Sequence, residues 1–139
     1  MLSEKDVLNV VEKRLPKVID ARTHGMIDLC HATFFFGMAL LCRKKNPRAA
    51  TAALATGAFV LVESLLTDYP LGAKSVVSFS THGRMDAAFA ASSLALPKIF
   101  GFEHTNAAKV FKMNAFVESA VVGLTDFNSN HAREKKLAA

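Results

Sequence analysis

Histidine, aspartate, threonine and glycine recur in this chain at a fixed interval. Thr23-His24-Gly25-x-x-Asp28 returns as Thr81-His82-Gly83-x-x-Asp86, and Leu66-Thr67-Asp68-Tyr69 returns as Leu124-Thr125-Asp126-Phe127. One offset of 58 residues aligns both motifs without a gap. On a helix His24 and Asp28 share a face because they stand four apart, and so do His82 and Asp86. Imidazoles and carboxylates gathered at one point have three uses. As metal ligands they hold a divalent ion such as zinc, with His24, Asp28, Asp68, His82, Asp86 and Asp126 as the candidate donors. As axial ligands, His24 and His82 would grip a b-type haem from its two sides, with Gly25 and Gly83 letting the macrocycle approach the backbone. As a structural network, each threonine caps a helix and each acid accepts from a helix start or from a histidine.

Three further ionisable residues fall within apolar stretches: Glu63, Glu118 and His31. Val62-Glu63-Ser64 and Val117-Glu118-Ser119 match each other three residues out of the 58-residue register. Both glutamates are expected on the threonine-bearing face of their helices, and with His31 they form a candidate proton or ion path. Ionisable groups near the centre of a membrane span cost about 2.5–3.5 kcal/mol on insertion scales and normally face the bundle interior. His31 lies one turn beyond Asp28, but Phe89 stands at its repeat position, which favours a satisfied core histidine. No nucleophile elbow, phosphate loop or paired acid/base site is present, so the sequence does not indicate an enzyme.

Positioning these groups requires helices. Thr23, a good N-cap residue, is expected to start a helix running to about Cys42, ended by Arg43-Lys44-Lys45. Asn46-Pro47 makes the turn into a second helix that runs to about Leu66, with Pro47 suited to a first helical position. Residues 71–80 link the repeats. The second hairpin is expected from Thr81 to about Leu96, cut by Pro97, and from about Thr105 to Leu124, with Phe100-Gly101-Phe102 at the membrane boundary. An even number of spans between the copies brings all the His/Asp groups to one end, around a polar mouth. Ahead of the repeats, residues 1–20 carry a short amphipathic helix, Ser3 to Arg14, lying at a membrane surface. After them, residues 128–139 form a polar tail.

Between residues 23–69 and 81–127 ten positions are identical, and six of these are Thr, His, Gly, Asp, Thr and Asp. The apolar positions have drifted, as at Phe34 against Ser92. Packing positions accept swaps of similar volume, whereas a polar group inside a bundle must keep its partner. The pattern is that of a tandem duplication, with residues 21–70 and 81–127 as its two halves.

Composition places the chain in the bilayer. It is 51% hydrophobic and 21% charged, with mean hydropathy +0.24, and lacks Trp. Its net charge of +5 is concentrated at Arg43-Lys44-Lys45 with Arg48 and in the C-terminal tail. With no aromatic-studded basic stripe, this distribution excludes nucleic acid and suits anionic headgroups. The basic turn suggests that this loop is cytoplasmic and the His/Asp mouth outside, although the basic residues of both terminal segments argue for the reverse. Cys30 and Cys42 stand about 18 Å apart along one expected helix, too far for a disulfide, and read as small core residues. The mixed-charge N-terminus does not read as a cleaved signal peptide. Small-residue faces such as Ala49-Ala50-x-Ala52-Ala53 would allow close contact with membrane protein partners or a second copy.

A short N-terminal arm followed by two pairs of apolar helices, each pair opened by a short motif, resembles the SPW-repeat group of small bacterial membrane proteins. The likeness spans about residues 20–127 and is one of layout. His24-Gly25-x-x-Asp28 and His82-Gly83-x-x-Asp86 stand where that group's repeat-start motif would be, and the Ser-Pro-Trp tripeptide is absent. The resemblance implies a multi-pass protein of the bacterial inner membrane with no established activity. The expected architecture is therefore all-α: a four-helix transmembrane bundle built from two tandem hairpins, with an amphipathic N-terminal helix and a structural or accessory role of the kind a subunit of a larger complex would have.

Overall fold

The computed structural model describes residues 15–129. The amphipathic helix expected over 3–14 and the end of the tail, 130–139, lie outside the described residues. Within them the fold is all-α: α1 (Ala21–Cys42), α2 (Pro47–Leu66), α3 (Phe79–Ser93), the short α4 (Leu96–Ile99) and α5 (Asn106–Leu124). The extended pieces are a parallel pairing of β1 (Thr67–Asp68) with β2 (Val77–Ser78) and a single bridge between Ile19 and Thr125. Helix α1 packs along α2, and α3 along α5.

The helix starts differ from expectation in an informative way. Thr23 is not the N-cap of α1. That position belongs to Asp20, whose carboxylate accepts from the Thr23 backbone N–H at 2.8 Å. Correspondingly, α3 begins at Phe79 rather than Thr81, capped by Ser78, whose hydroxyl accepts from the Thr81 N–H at 3.2 Å. The link expected over 71–80 therefore ends two residues early. Asp20 and Ser78 stand 58 residues apart, as do Ile19 and Val77. Ile19 bridges to Thr125 and Val77 pairs with Thr67. Each helix start is thus fastened to the end of a helix from the opposite half of the chain.

At the other end, Asn46 caps α2 by accepting from the Ala49 N–H, and Pro47 occupies the first turn, where its missing N–H costs nothing. Helix α3 stops at Ser93, short of Leu96, because Pro97 has no N–H to offer the Ser93 carbonyl. After α4 the chain reverses at Gly101, whose φ of 71° is left-handed and suits glycine. Phe102 is buried within the protein. It packs into a core with Phe35, Met38 and Phe111, among the alanines of α2 and α5. Cys42 is half-buried, whereas Cys30 is exposed rather than part of the core.

Among the described residues two helices, α1 and α2, are long and apolar enough to cross a membrane. At 22 residues α1 spans about 33 Å, against a hydrocarbon thickness of about 30 Å.

Candidate metal centre

His24 and His82 meet in the interior, with their Nε2 atoms 3.2 Å apart and side chains 0% and 1% exposed. The starts of α1 and α3 carry them in from opposite halves. What fixes their rings is the pair of threonines at the ends of α2 and α5. Thr67 donates its hydroxyl to the Glu63 carbonyl at 2.7 Å, and Thr125 donates to that of Val121 at 2.6 Å. With its proton committed to a carbonyl four residues back, each threonine oxygen can only accept. The His82 Nδ1–H donates to Thr67 at 2.8 Å, and the His24 Nδ1–H donates to Thr125 at 2.9 Å. In its neutral form each imidazole is thereby held in the tautomer that turns a bare Nε2 lone pair toward the same point. Locking the far nitrogen is what outer-shell groups do for a metal-bound histidine.

Carboxylates complete the cluster. Asp86 Oδ2 lies 3.1 Å from both Nε2 atoms, so His24, His82 and Asp86 form a nearly equilateral triangle of donors, all buried. Asp28 approaches the same two nitrogens at 3.4 Å, with Oδ1 toward His24 and Oδ2 toward His82. Its Oδ2 also accepts from the Tyr69 hydroxyl at 2.8 Å, and Ser64 hydrogen-bonds the tyrosine oxygen in turn. Donors about 2.0–2.1 Å from a tetrahedral zinc ion are separated by about 3.3–3.4 Å. The observed spacing is close to that.

Asp68 and Asp126 do not join the site. Each follows a threonine in extended backbone, where successive side chains point to opposite sides. Thr67 and Thr125 point inward, so the aspartates point away. Asp68 accepts from Ser75, and Asp126 accepts from the Asn128 N–H. The haem reading also fails on geometry. Two axial ligands must stand on opposite faces of a macrocycle, but these Nε2 atoms share one carboxylate oxygen and leave no slot between them. Nor are the glycines openings for a cofactor. A Cβ at Gly25 would meet the Tyr69 ring at 3.1 Å, and one at Gly83 would meet Phe127 at 2.6 Å.

The expected polar mouth is covered. Ala21, Tyr69 and Phe79, with Leu71 and Phe127 against them, cap this end of the molecule. Phe79 and Phe127 stand edge-on to His24, at 5.4 and 5.5 Å between ring centroids. On the other side the Phe35–Phe102–Phe111 core separates the site from the Asn46 turn.

The three other ionisable residues are largely buried, but they do not form one chain. Glu63 Oε1 lies 3.7 Å from His82 Nδ1, and among the described residues it has no hydrogen-bond partner. Glu118 pairs with His31, Oε2 to Nδ1, at 3.2 Å. Thr67, Thr125, Tyr69 and Ser64 were not singled out as site residues from sequence. The repetition of the Leu-Thr-Asp-aromatic run was the signal that could have found the threonines. Comparison with protein-family models, curated proteins and solved structures returns no match.

Proposed function

We propose that this is an integral membrane protein of two tandem helical hairpins clamped together by one buried divalent cation. The ion is held by His24, His82 and Asp86, with Asp28 as fourth donor. The observation that carries the reading is the pair of imidazoles whose Nδ1–H groups are both spent on threonine hydroxyls, leaving two lone pairs aimed at one carboxylate oxygen. Two carboxylates and two neutral histidines carry a charge of −2, which a divalent ion cancels. With all four donors supplied by the chain, the coordination is that of a structural site rather than a catalytic one, which keeps a position open. The ion takes donors from both halves, so its binding energy adds to the stability of the assembled fold.

Support for the bilayer comes from an inverted distribution of polarity. The interior holds His24, Asp28, Glu63, His82, Asp86, Asn114 and Glu118, whereas Phe34, Leu41, Leu54, Val62, Phe116 and Met113 face outward. Leu41 is 83% exposed and Phe116 72%. In water such a surface invites association; in hydrocarbon it is solvated, and the polar groups belong inside. The 58-residue repeat, now extended by the matching caps Asp20 and Ser78, supports a doubled hairpin.

Elemental analysis of detergent-purified protein tests the metal. About one equivalent of a divalent ion per chain is expected, lost in the His24→Ala/His82→Ala variant. Cobalt substitution should give the intense visible bands of a tetrahedral site. Protein that holds no ion and takes up no cobalt would sink the proposal. Release from membranes by alkaline carbonate without detergent would remove the bilayer reading alone.

A further inference from the structure

Beside the His/Asp centre, a cleft between α1 and α5 encloses about 480 Å³ and opens sideways. Its wall is apolar, including Phe34, Met113 and Val117, apart from Lys109 and a polar patch of His31, Asn114 and Glu118. Volumes of about 300–1,000 Å³ with a few convergent polar groups are typical of small-molecule sites.

The opposite side of the molecule offers a control. Moving each residue by 58 positions takes this cleft to the one between α3 and α2, where His31 becomes Phe89, Val117 becomes Phe59 and Glu118 becomes Val60. There Phe59 and Phe89 stack, with centroids 5.1 Å apart and planes inclined by 25°. One copy of the cleft is thus closed by a pair of flat rings from the chain itself. The other has exchanged those rings for a valine and a histidine, and the carboxylate of Glu118 meets the histidine.

Neither of these exchanges is cheap in an apolar setting. An ionisable pair has replaced a phenylalanine and a valine, so the open cleft must offer something the closed one does not. His31 gives its Nδ1 to Glu118, and its Nε2 is buried without a hydrogen-bond partner among the described residues. Asn114 stands beside it, its amide nitrogen on Ser93 at 3.4 Å.

We infer that the α1/α5 cleft binds a lipophilic molecule with one flat, oxygen-bearing ring, of the quinone or phenol class. The ring occupies the space that aromatic side chains fill in the other cleft, and its oxygen meets the His31–Glu118 patch. The apolar tail leaves past Phe34 and Met113. Access from the side is direct if the surrounding medium is hydrocarbon, which rests on the bilayer reading; the site itself does not depend on the metal.

Calorimetric titration of the purified full chain with decylubiquinone tests the inference, with metal content measured in parallel. Saturable binding is expected, and 1-decanol, which has a chain of the same length and no ring, should not displace it. The His31→Phe/Val117→Phe/Glu118→Val variant copies the closed cleft and should bind about tenfold more weakly or worse while keeping its metal. Val117→Phe alone fills the cleft without touching the polar patch. It should also weaken binding, and it decides the matter if the triple variant does not fold. No saturation in the wild-type protein, unchanged affinity in the filled variants, or equal displacement by 1-decanol each overturns the inference. Loss of the metal with decylubiquinone binding intact would instead count against the proposed cation clamp.

Discussion

The two halves of this chain treat the centre alike and its surroundings differently. His24 leans on Thr125 and His82 on Thr67, at 2.9 and 2.8 Å, so the ring-fixing contacts are the same two contacts made twice. One step outward the match ends. Tyr69 reaches Asp28 through its hydroxyl, whereas Phe127, at the equivalent position, has nothing to offer Asp86. Ser64, which supports Tyr69, is matched by Val122. The lesson is that the donors and their immediate supports are bound by reciprocal geometry, since each half completes the other's histidine. Residues one layer out serve only their own side and are free to diverge.

Breaking the shared layer should have the largest effect. Under the proposed cation clamp, His24→Ala and His82→Ala should each abolish metal retention, with equal losses by elemental analysis. A variant that kept the metal after losing either ring would show that the halves are not equivalent. Next come the threonines. Thr67→Val and Thr125→Val each leave an imidazole N–H without its acceptor, and removing such a support typically lowers metal affinity about 10–100-fold. Competition with a zinc chelator should return similar values for the two.

The outer layer should respond unequally. Gly83→Ala drives a Cβ to 2.6 Å from Phe127, a ring held against Phe79 and His24, and should destabilise by about 1–3 kcal/mol. Gly25→Ala meets Tyr69 at 3.1 Å and should cost less in the same thermal melt. The reverse order would mean that the hydrogen bonds holding Tyr69 matter more than the gap. Comparable in size is Tyr69→Phe, which makes the first half resemble the second. Loss of one hydrogen bond to a carboxylate should cost about 1.5–3 kcal/mol at most, with the metal retained. Phe127→Tyr should bring no matching gain, because Val122 stands where a supporting serine would be needed.

Much of this centre was legible in the residues alone. Four of the six expected residues come together, because the i, i+4 spacing of His24 with Asp28 and of His82 with Asp86 holds on any helix. Asp68 and Asp126 stand outside the centre because they follow Thr67 and Thr125 in extended backbone, where alternate side chains part company, and a shared end of the bundle does not show which way a side chain points. The haem alternative survived in sequence because nothing there measures the gap between two rings. The true caps, Asp20 and Ser78, were passed over because the repeated motif begins three residues later and drew the helix start to itself.

By itself the amino-acid sequence determined an all-α chain with a 58-residue internal likeness, and which polar side chains share a helix face, since these depend only on periodicity and identity. Tertiary structure alone decided that each histidine is fixed by a threonine of the other half, that aromatic rings close the polar end, and that one cleft is filled while its counterpart stays open. Such outcomes depend on contacts between residues 15 to 101 positions apart, where distance and direction, rather than spacing along the chain, set which groups can touch.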